Sequence, residues 1–386
     1  MTAGRRASFL ISAGEASGDL YASRLVELLR ARHPDADFFG CAGPRMQSAG
    51  VRAVVDSRSL AVVGIVEVIG HLPRIWGEFR KLIRSAAAEK PDLAILTDSP
   101  DFHLRVARKL RKSGIPVAYL IAPQAWAWRE GRVKTLRACV RRLLCIFPFE
   151  EEFFVKRGVP ATFIGHPLGR LVKPSLSREE FWAKFGLDSG ARILAVLPGS
   201  RHGELARHLP ILIDALARIR KKANVHPVLA LPPGFGLDAT NFREPVRVAS
   251  IQVIEGHTWD VLAQSELALA ASGTVTVEAA LLGTPMVTFY RVNELSWILG
   301  RWLVRAPFLS MVNLVAGRRI VPELIQSEMT AERIAGEANL LLEDPARRAA
   351  MREGLAETAG RLKSDRDPME IACEWIERLW SETHAH

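Results

Sequence analysis

The stretch SAGEASGDLYASRLVELL, Ser12–Leu29, decides the fold class of this 386-residue chain. The apolar run Phe9–Ile11 leads into it, and leucines at helical spacing end it. Between them lie two glycines and two carboxylates, Gly14, Glu15, Gly18 and Asp19. This order predicts a strand, a tight loop and a helix, the unit in which α/β proteins hold an anion on backbone N–H groups. The dinucleotide spacing G-x-G-x-x-G is absent.

Alternation of apolar strands with amphipathic helices continues along the first half and restarts at ARILAVLPGS, 191–200. Strands separated by helices predict parallel, doubly wound sheets. We therefore expect an α/β protein with two Rossmann-like domains that face a ligand-binding cleft. The clearest predicted strands are 7–13, 37–41, 92–97, 116–121, 143–147, 192–197, 226–231, 266–271 and 286–290. The predicted boundaries are 1–168 and 181–354 for the domains, 169–180 for a linker and 355–386 for a helical tail. That tail is expected either to pack back across the cleft or to contact another subunit.

The composition is that of a globular protein, with 48% hydrophobic and 24% charged residues. Four cysteines show no paired spacing, which fits a reducing cytosol and indicates no zinc site. The Asp-x-Asp at 35–37 is typical of metal-using glycosyltransferases, but it precedes its strand instead of ending it, so we predict no metal. The uncharged stretches are too short to cross a bilayer.

A net charge of +10 suggests an anionic partner. The basic residues concentrate at 105–112 and 129–142. These are either two solvated helix faces or contacts for lipid phosphates. Nucleic acid is disfavoured because zinc-finger spacing, an RNP-like aromatic pattern and a basic tail are all missing from the sequence.

Two loops of the second half are suited to a nucleotide. In LPGSRHGELARHL, 197–209, Gly199 and Ser200 can offer backbone amides at a helix start and Arg201 adds a cation suited to a diphosphate. In AASGTVTVEAALLGTP, 270–285, the residues Ser272, Gly273 and Thr274 repeat the design, and Glu278 lies one turn into the helix, where it could accept from ribose hydroxyls. Two alternatives remain. Arg201 could be a surface residue of an ordinary turn, and Glu278 could be a carboxylate that complements the helix dipole.

The first half offers carboxylates for acid–base chemistry. Asp98, in LAILTDSPDFHLRVARKL, lies where a strand ends, at the edge of the sheet where catalytic groups collect. Asp101 follows it, and Glu15 comes from the opening loop. Each could take a proton from a sugar hydroxyl. Helix capping, a turn or a solvated loop acid are the alternatives.

Aromatic and apolar residues indicate two further surfaces. Trp126 is expected either in the core or stacked on a sugar. The segment 59–83 has a nearly helical apolar stripe, interrupted at Pro73, which is either core or a surface helix that enters anionic lipid. The stripe residues that we expect to contact membrane or acyl chains are Val62, Ile65, Val66, Ile69, Leu72, Trp76 and Phe79.

Together these residues resemble the lipid-A-disaccharide synthase family, over roughly residues 8 to 330. Taken one at a time, only the opening loop and the segment 271–281, with its glycine and threonines at a helix start, would indicate this family. His103 stands where asparagine is usual in that family. The segments that carry the resemblance, in the family's order, are SAGEASGD (12–19), GIVEVIGHLP (64–73), TDSPDF (97–102), QAWAW (124–128), FPFE (147–150), FIGHPL (163–168), LPGSR (197–201), ASGTVTVEAAL (271–281) and NLVAGRRIVPELIQ (313–326).

The resemblance implies a GT-B fold and an inverting, metal-independent glycosyltransferase without a cofactor. It would join UDP-2,3-diacylglucosamine to 2,3-diacylglucosamine 1-phosphate (lipid X), giving a β-1,6 disaccharide and UDP at the cytoplasmic face of the inner membrane. The implied catalytic residues are Asp98, Asp101 and Glu15; those for UDP are Gly199, Ser200, Arg201, Ser272, Gly273, Thr274, Glu278 and Asn313; those for the acceptor are Gly14, Ser17, Gly18, Asp19 and Trp126. A homodimer through the C-terminal region is a further expectation.

Other classes fit part of the pattern. A UDP-sugar epimerase shares the architecture but has no need of an acyl-chain surface. A non-catalytic protein that binds anionic lipid would leave the nucleotide loops without purpose. A nicotinamide oxidoreductase would also use Rossmann halves, but the G-x-G-x-x-G motif of that class is absent from this sequence.

Overall fold

The computed structural model describes residues 6–60, 65–126, 130–188, 190–293, 297 and 306–384. These residues form two compact units. The first unit contains the described residues up to Pro167 together with those from Ser364 onward. The second contains the described residues between Leu168 and Lys363.

The first unit alternates strands and helices from its first described residues. Its elements are β1 (Ser8–Ser12), α1 (Ala16–Arg32), β2 (Asp37–Ala42), α2 (Pro44–Ser48), β3 (Arg52–Asp56), α3 (Ile65–Glu89), β4 (Leu93–Thr97), α4 (Pro100–Lys112), β5 (Val117–Leu120), α5 (Arg132–Cys139), β6 (Arg142–Cys145), α6 (Pro148–Val155) and β7 (Ala161–Phe163).

The seven strands of this unit form one sheet in the order β3-β2-β1-β4-β5-β6-β7, and every pair is parallel. The central strands are almost wholly apolar and buried, as parallel strands covered by helices on both faces must be. The strand order reverses direction between β1 and β4, so the crossovers diverge there and leave a crevice at the carboxyl ends. This edge of the sheet holds the opening loop.

The second unit repeats the same construction. Its elements are α7 (Leu168–Leu171), α8 (Arg178–Phe185), β8 (Ile193–Leu197), α9 (His202–Ile219), β9 (His226–Leu231), α10 (Arg243–Val248), β10 (Gln252–Glu255), α11 (Thr258–Gln264), β11 (Ser265–Ala271), α12 (Thr274–Leu281), β12 (Met286–Tyr290), α13 (Met311–Ala316), β13 (Glu323–Ile325), α14 (Ala331–Glu343) and α15 (Pro345–Leu362).

Six parallel strands form the second sheet, in the order β10-β9-β8-β11-β12-β13. The order again reverses at the first strand, here between β8 and β11. The two sheets confirm the prediction of parallel, doubly wound, Rossmann-like halves. The segment predicted as a linker, 169–180, includes most of the short helix α7 and the start of α8.

The predicted helical tail is divided between the units. Helix α15 belongs to the second unit, whereas the last helix, α16 (Pro368–His384), belongs to the first. There it packs against α1, where Arg32 forms an ion pair with Glu377 at 2.7 Å, and His33 next to it forms a hydrogen bond with the same carboxylate at 2.8 Å. Trp380 also lies edge-on to Phe9 of β1, with ring centroids 6.1 Å apart.

Helix α3 continues through Pro73, where the sequence predicted an interruption. A proline inside a helix removes one backbone hydrogen bond and usually bends the helix, so the helix tolerates this residue at a cost.

Gly40 of β2 allows β1 and β2 to approach each other. A Cβ at this position would lie 1.9 Å from the carbonyl oxygen of Ile11, and the backbone has φ +154°. We expect Gly40→Ala to lower the free energy of unfolding of the first unit by at least about 2 kcal/mol, measured by urea denaturation.

The matched control is Gly336→Ala in α14, where an added Cβ meets nothing within 4 Å. Alanine there should raise stability by about 0.5–1 kcal/mol because glycine is a poor helix former. Equal effects of the two substitutions would contradict the close approach at Gly40.

Candidate active site

The first candidate site lies where β1 and β4 end side by side. Asp98, directly after β4, turns its carboxylate onto the loop after β1. Its Oδ1 accepts from the amide of Gly14 at 2.7 Å and its Oδ2 from the amide of Glu15 at 3.0 Å. Ser99 supplies a further side-chain hydrogen bond. Two amides of the loop on which the sequence predicted an external anion therefore donate to the chain's own Asp98 carboxylate.

The backbone at Asp98 is strained. Asp98 and Ser99 both have left-handed φ angles, 48° and 33°, and Ile121 after the neighbouring strand β5 has φ 68°. Such angles are uncommon outside glycine and are outliers for a β-branched residue. Strained residues cluster at functional sites, where the surrounding structure holds them in place.

The strained turn at Asp98 is supported by three buried side chains, those of Tyr119, His103 and Ser12. The Asp98 carbonyl accepts from the Tyr119 hydroxyl at 2.7 Å and from His103 Nδ1 at 3.0 Å. Because a carbonyl only accepts, the proton is on Nδ1, and Nε2 accepts from the Ser12 hydroxyl at 2.7 Å. Burial lowers the pKa of His103 to about 4, so the imidazole is neutral. His103 thus has a positioning role that the sequence did not assign.

The environment of Asp98 makes it a stronger base than an ordinary aspartate. Burial, and secondly the nearby charge of Glu15, raise the pKa of Asp98 well above its usual range, against the hydrogen bonds that lower it. Its side chain is 12% exposed. A carboxylate has about four acceptor positions, and the contacts with described residues named above use three of them.

The other residues of the opening loop have structural contacts. Asp19 is buried, and its carboxylate accepts from the amides of Arg45 and Met46 at the start of α2. A Cβ on Gly18 would lie 1.7 Å from Asp98 Oδ2, and one on Gly14 would lie 2.3 Å from Ser99 Oγ. These glycines allow α1 to approach the Asp98 turn.

Glu15 is exposed and Ser17 is half-buried at the same loop. Asp101, the alternative base, is 61% exposed at the start of α4 and forms an ion pair with Arg132 at 2.9 Å. An exposed carboxylate held by a guanidinium is a weaker candidate base than a buried one near a second acid.

Trp126 is fixed by an acid that the sequence did not single out. Its indole N–H donates to Glu150 at 3.0 Å, and its ring lies edge-on to Phe149 with centroids 4.9 Å apart. Glu150 is fully buried and also accepts from the amides of Ile146 and Phe147. Burial raises the pKa of Glu150 to about 7. Trp126 packs partly against the core and keeps part of its surface exposed.

In the second unit, the loop after β8 contains its own carboxylate. Glu204, which the sequence analysis missed, accepts from the Ser200 amide at 3.0 Å and from the Tyr290 hydroxyl at 3.2 Å. Arg201 forms an ion pair with it at 3.4 Å, and the Arg201 side chain is 42% exposed. Gly199, at φ +123°, leaves the space that Glu204 fills.

His208 of α9 ties this loop to the end of β12. Its Nδ1 lies 2.6 Å from the Pro198 carbonyl oxygen, and its Nε2 accepts from the Arg291 amide at 3.1 Å. Burial lowers the pKa of His208. A neutral, fully used imidazole therefore fixes two adjacent loops at the carboxyl ends of their strands.

The start of α12 is the more open of the two second-unit loops. Gly273 and Thr274 are exposed, and an added Cβ on Gly273 meets nothing within 4 Å. Ser272, in contrast, donates its hydroxyl to the Leu309 carbonyl at 3.1 Å. Glu278 accepts from the indole of Trp259, and burial raises its pKa to about 7.

Asn313, which the resemblance implied for UDP, is held by contacts within its own unit. It is fully buried, and its Nδ2 donates to the Val321 carbonyl and to Glu323 at 2.9 and 2.8 Å. Its Oδ1 accepts from the amides of Ile320 and Val321 at 2.7 and 3.0 Å. All four positions of the amide are used within the unit. Asn313 thereby joins α13 to β13, and its role toward UDP stays a prediction.

The predicted membrane stripe is described in part. Val62 lies outside the described residues, as do the side chains of Ile65, Val66, Ile69 and Leu72. Phe79 is buried, whereas Trp76 is 47% exposed and stacks on Phe79 with centroids 5.1 Å apart. No described helix combines the length and apolarity needed to cross a membrane.

The structure is similar to solved structures of two classes of protein. The chain is similar to the UDP-GlcNAc 2-epimerase of Neisseria meningitidis, at TM-score 0.64 and 12% identity over 97% of this chain and 100% of that one. It is also similar to a glycosyltransferase of Rickettsia africae, at TM-score 0.59 and 9% identity over 97% and 99% of the chains. The two doubly wound sheets therefore have the GT-B fold that glycosyltransferases share with these epimerases.

Sequence comparison then gives the family. The family model for lipid-A-disaccharide synthetase matches residues 9–369. The lipid-A-disaccharide synthases of Solibacter usitatus and Koribacter versatilis are 61% and 46% identical, each over 92% of this chain and over 92% and 94% of their own lengths. The chain belongs to the lipid-A-disaccharide synthase family and is a glycosyltransferase.

The two donors to the Asp98 carbonyl should be energetically coupled. We expect Tyr119→Phe alone to cost about 0.5–1.5 kcal/mol, because His103 still satisfies the carbonyl. In a His103→Leu background the same change leaves the buried carbonyl without a donor and should cost more, by at least about 0.5 kcal/mol. A double-mutant cycle by urea unfolding measures this coupling.

Tyr290→Phe is the matched control, since that hydroxyl bonds Glu204 in the second unit. It should add to His103→Leu without coupling. If the effects of Tyr119→Phe and His103→Leu on the free energy of unfolding were also strictly additive, the two donors would not be coupled through the Asp98 carbonyl.

Proposed function

We propose that the chain joins UDP-2,3-diacylglucosamine to lipid X, forming the β-1,6 disaccharide 1-phosphate and UDP. Family membership supports the reaction. The observation that carries the mechanism is the Asp98 carboxylate, which is buried next to Glu15 at the end of β4.

In this mechanism Asp98 is the general base. The 6-hydroxyl of the acceptor gives its proton to the Asp98 carboxylate while the hydroxyl oxygen bonds to the anomeric carbon of the donor. The bond between that carbon and the phosphate oxygen of UDP breaks, and the configuration inverts. Glu15, exposed beside Asp98, is suited to accept a hydrogen bond from another acceptor hydroxyl. The remaining acceptor contacts that we propose come from Gly14, Ser17, Gly18 and the exposed part of Trp126.

The second unit binds the leaving group in this proposal. Arg201, with a partly exposed guanidinium, and the open helix start at Gly273 and Thr274 are suited to the diphosphate. The Ser200 amide already donates to Glu204, so a phosphate would have to displace that carboxylate to use it. Glu278 would accept from the ribose hydroxyls.

Membrane association is also proposed. Both substrates carry acyl chains, so they reside in a bilayer. Exposed Trp76, with the guanidinium of Arg80 lying 5.4 Å above its ring, is suited to the boundary between headgroups and acyl chains. A peripheral position on the inner face of the inner membrane follows from the substrates. A homodimer through the C-terminal region stays a prediction.

The direct test is incubation of the purified protein with both diacylglucosamine substrates and mass spectrometry of the lipid product. Appearance of the disaccharide 1-phosphate with release of UDP is expected. An epimerase of the same fold would instead release UDP or change the sugar configuration without making a disaccharide. Binding of substrates without turnover would indicate a lipid-binding protein.

The identity of the base can be decided by two matched substitutions. We expect Asp98→Asn to lower kcat by about 10²–10⁴-fold, the usual effect of losing a positioned base. Asp101→Asn should lower it by less than tenfold, since that carboxylate is exposed and paired with Arg132. Turnover is measured by UDP release, with circular dichroism and UDP affinity as checks on folding. The opposite ranking would make Asp101 the base.

The pH profile provides a second test of the same residue. A base must be ionised to act, so kcat/KM should rise as the pH increases through the raised pKa of Asp98. Glu15→Gln removes the neighbouring charge and should move this acid limb to lower pH. An unchanged acid limb would contradict the pairing of Asp98 with Glu15.

Arg201 should govern affinity for UDP. We expect Arg201→Ala to weaken UDP binding by about 10–100-fold, because a charge-assisted hydrogen bond contributes about 1.5–3 kcal/mol. Isothermal titration calorimetry measures the affinity. Arg207→Ala, a change to a second arginine on the same helix, is the control and should alter it by less than threefold. Equal effects would remove Arg201 from the diphosphate site.

A further inference from the structure

A groove on the first unit is lined mainly by cations. It has a volume of about 570 Å³ and lies against α3, α4 and α5. Trp76 and Phe79 form one apolar wall, and Cys139 contributes from α5. The remaining lining residues all belong to α4: Arg105, Arg108, Lys109, Arg111 and Lys112.

The five cations of the groove share one feature, the lack of an acidic partner among the described residues. All five are exposed, and no carboxylate among the described residues forms an ion pair with any of them. By contrast, Arg32 of this unit pairs with Glu377 and Arg58 pairs with Asp56. Like charges three and four residues apart on a helix repel each other.

The helix dipole explains only part of this arrangement. Lys109, Arg111 and Lys112 lie in the last turn of α4, where cations are favourable. Arg105 and Arg108 lie further back, where the dipole effect has faded. Arg108 donates to the Thr135 hydroxyl, which leaves Arg105 without any structural partner among the described residues. An external anion would relieve the repulsion along the whole row.

The apolar wall specifies what kind of anion fits. Trp76 is 47% exposed and lies beside the cations, with Phe79 stacked behind it. Exposed tryptophan next to lysine and arginine is typical of protein surfaces at the headgroup level of a bilayer. A simple polyanion would gain nothing from this wall, whereas an amphiphile uses both sides of the groove.

We propose that the groove binds the phosphate of an anionic phospholipid headgroup, with Trp76 at the boundary to the acyl chains. This inference rests on the proposed function, since it places α4 against the bilayer that holds the lipid substrates. It assigns the groove to the bulk lipid and not to the reacting lipids. The groove would thereby orient the first unit on the membrane surface.

The test uses vesicle flotation with the full chain at about 0.15 M salt. One vesicle population is phosphatidylcholine alone and the other contains about 30% phosphatidylglycerol. The variant Arg105→Gln/Lys109→Gln/Lys112→Gln removes three charges and leaves the Arg108–Thr135 bond intact. The control, Lys221→Gln/Lys222→Gln/Arg347→Gln, removes three exposed charges from the second unit, so both variants have the same net charge.

Each lysine or arginine near an anionic surface is worth about fivefold in binding, so the groove variant should bind anionic vesicles about 100-fold more weakly. The control variant should stay within about threefold of the parent chain, and on phosphatidylcholine alone the three proteins should be alike. Equal losses for the two variants would mean that only net charge matters and would overturn the site. Full binding by the groove variant would also overturn it.

Activity in detergent micelles separates this proposal from the proposed function. The groove variant should keep the parent rate of disaccharide formation in neutral detergent, because no bilayer is present. A large loss of that rate would show that the groove holds a substrate phosphate and would overturn the assignment to bulk lipid. If the parent chain makes no disaccharide, the synthase function fails, while the flotation result still decides whether the groove binds anionic lipid.

Discussion

The hydrogen bonds from the Gly14 and Glu15 amides to the Asp98 carboxylate are the constraint on which the first unit depends. They join the ends of β1 and β4, the two strands between which the sheet order reverses. They also explain the glycines, since a Cβ on Gly14 or Gly18 would enter the space of the Asp98 turn. The carboxylate that closes the loop is also the one that we propose as the general base, so a single side chain would serve both packing and reaction.

In the second unit, the loop after β8 is stabilised by a different carboxylate. There Glu204 accepts from the Ser200 amide and also pairs with Arg201. In both units a loop suited to an external anion is therefore stabilised by an internal one. The difference lies in exposure: Asp98 is nearly enclosed, whereas Arg201 and the start of α12 are open. In the proposed mechanism this contrast corresponds to proton transfer in the first unit and binding of the charged leaving group in the second.

The repeating pattern of buried strands and helices was readable because parallel strands are long apolar runs between amphipathic segments. Short edge strands such as β7 and β13, three residues each, give too weak a periodicity to be predicted. Asp98 could be located from its position after a strand. Its partners could not, because the contacts of His103 and Tyr119 with the Asp98 carbonyl depend on tertiary packing. The internal hydrogen bonds of Asn313 could not be read from the sequence for the same reason.

The return of α16 to the first unit has a consequence for biosynthesis. Phe9 and Arg32 contact Trp380 and Glu377, residues separated from them by nearly the whole chain. A ribosome therefore releases the complete second unit before the first can acquire its last helix. Until then, the apolar side of α1 lacks its cover, and the nascent chain must shield that surface or recruit a chaperone.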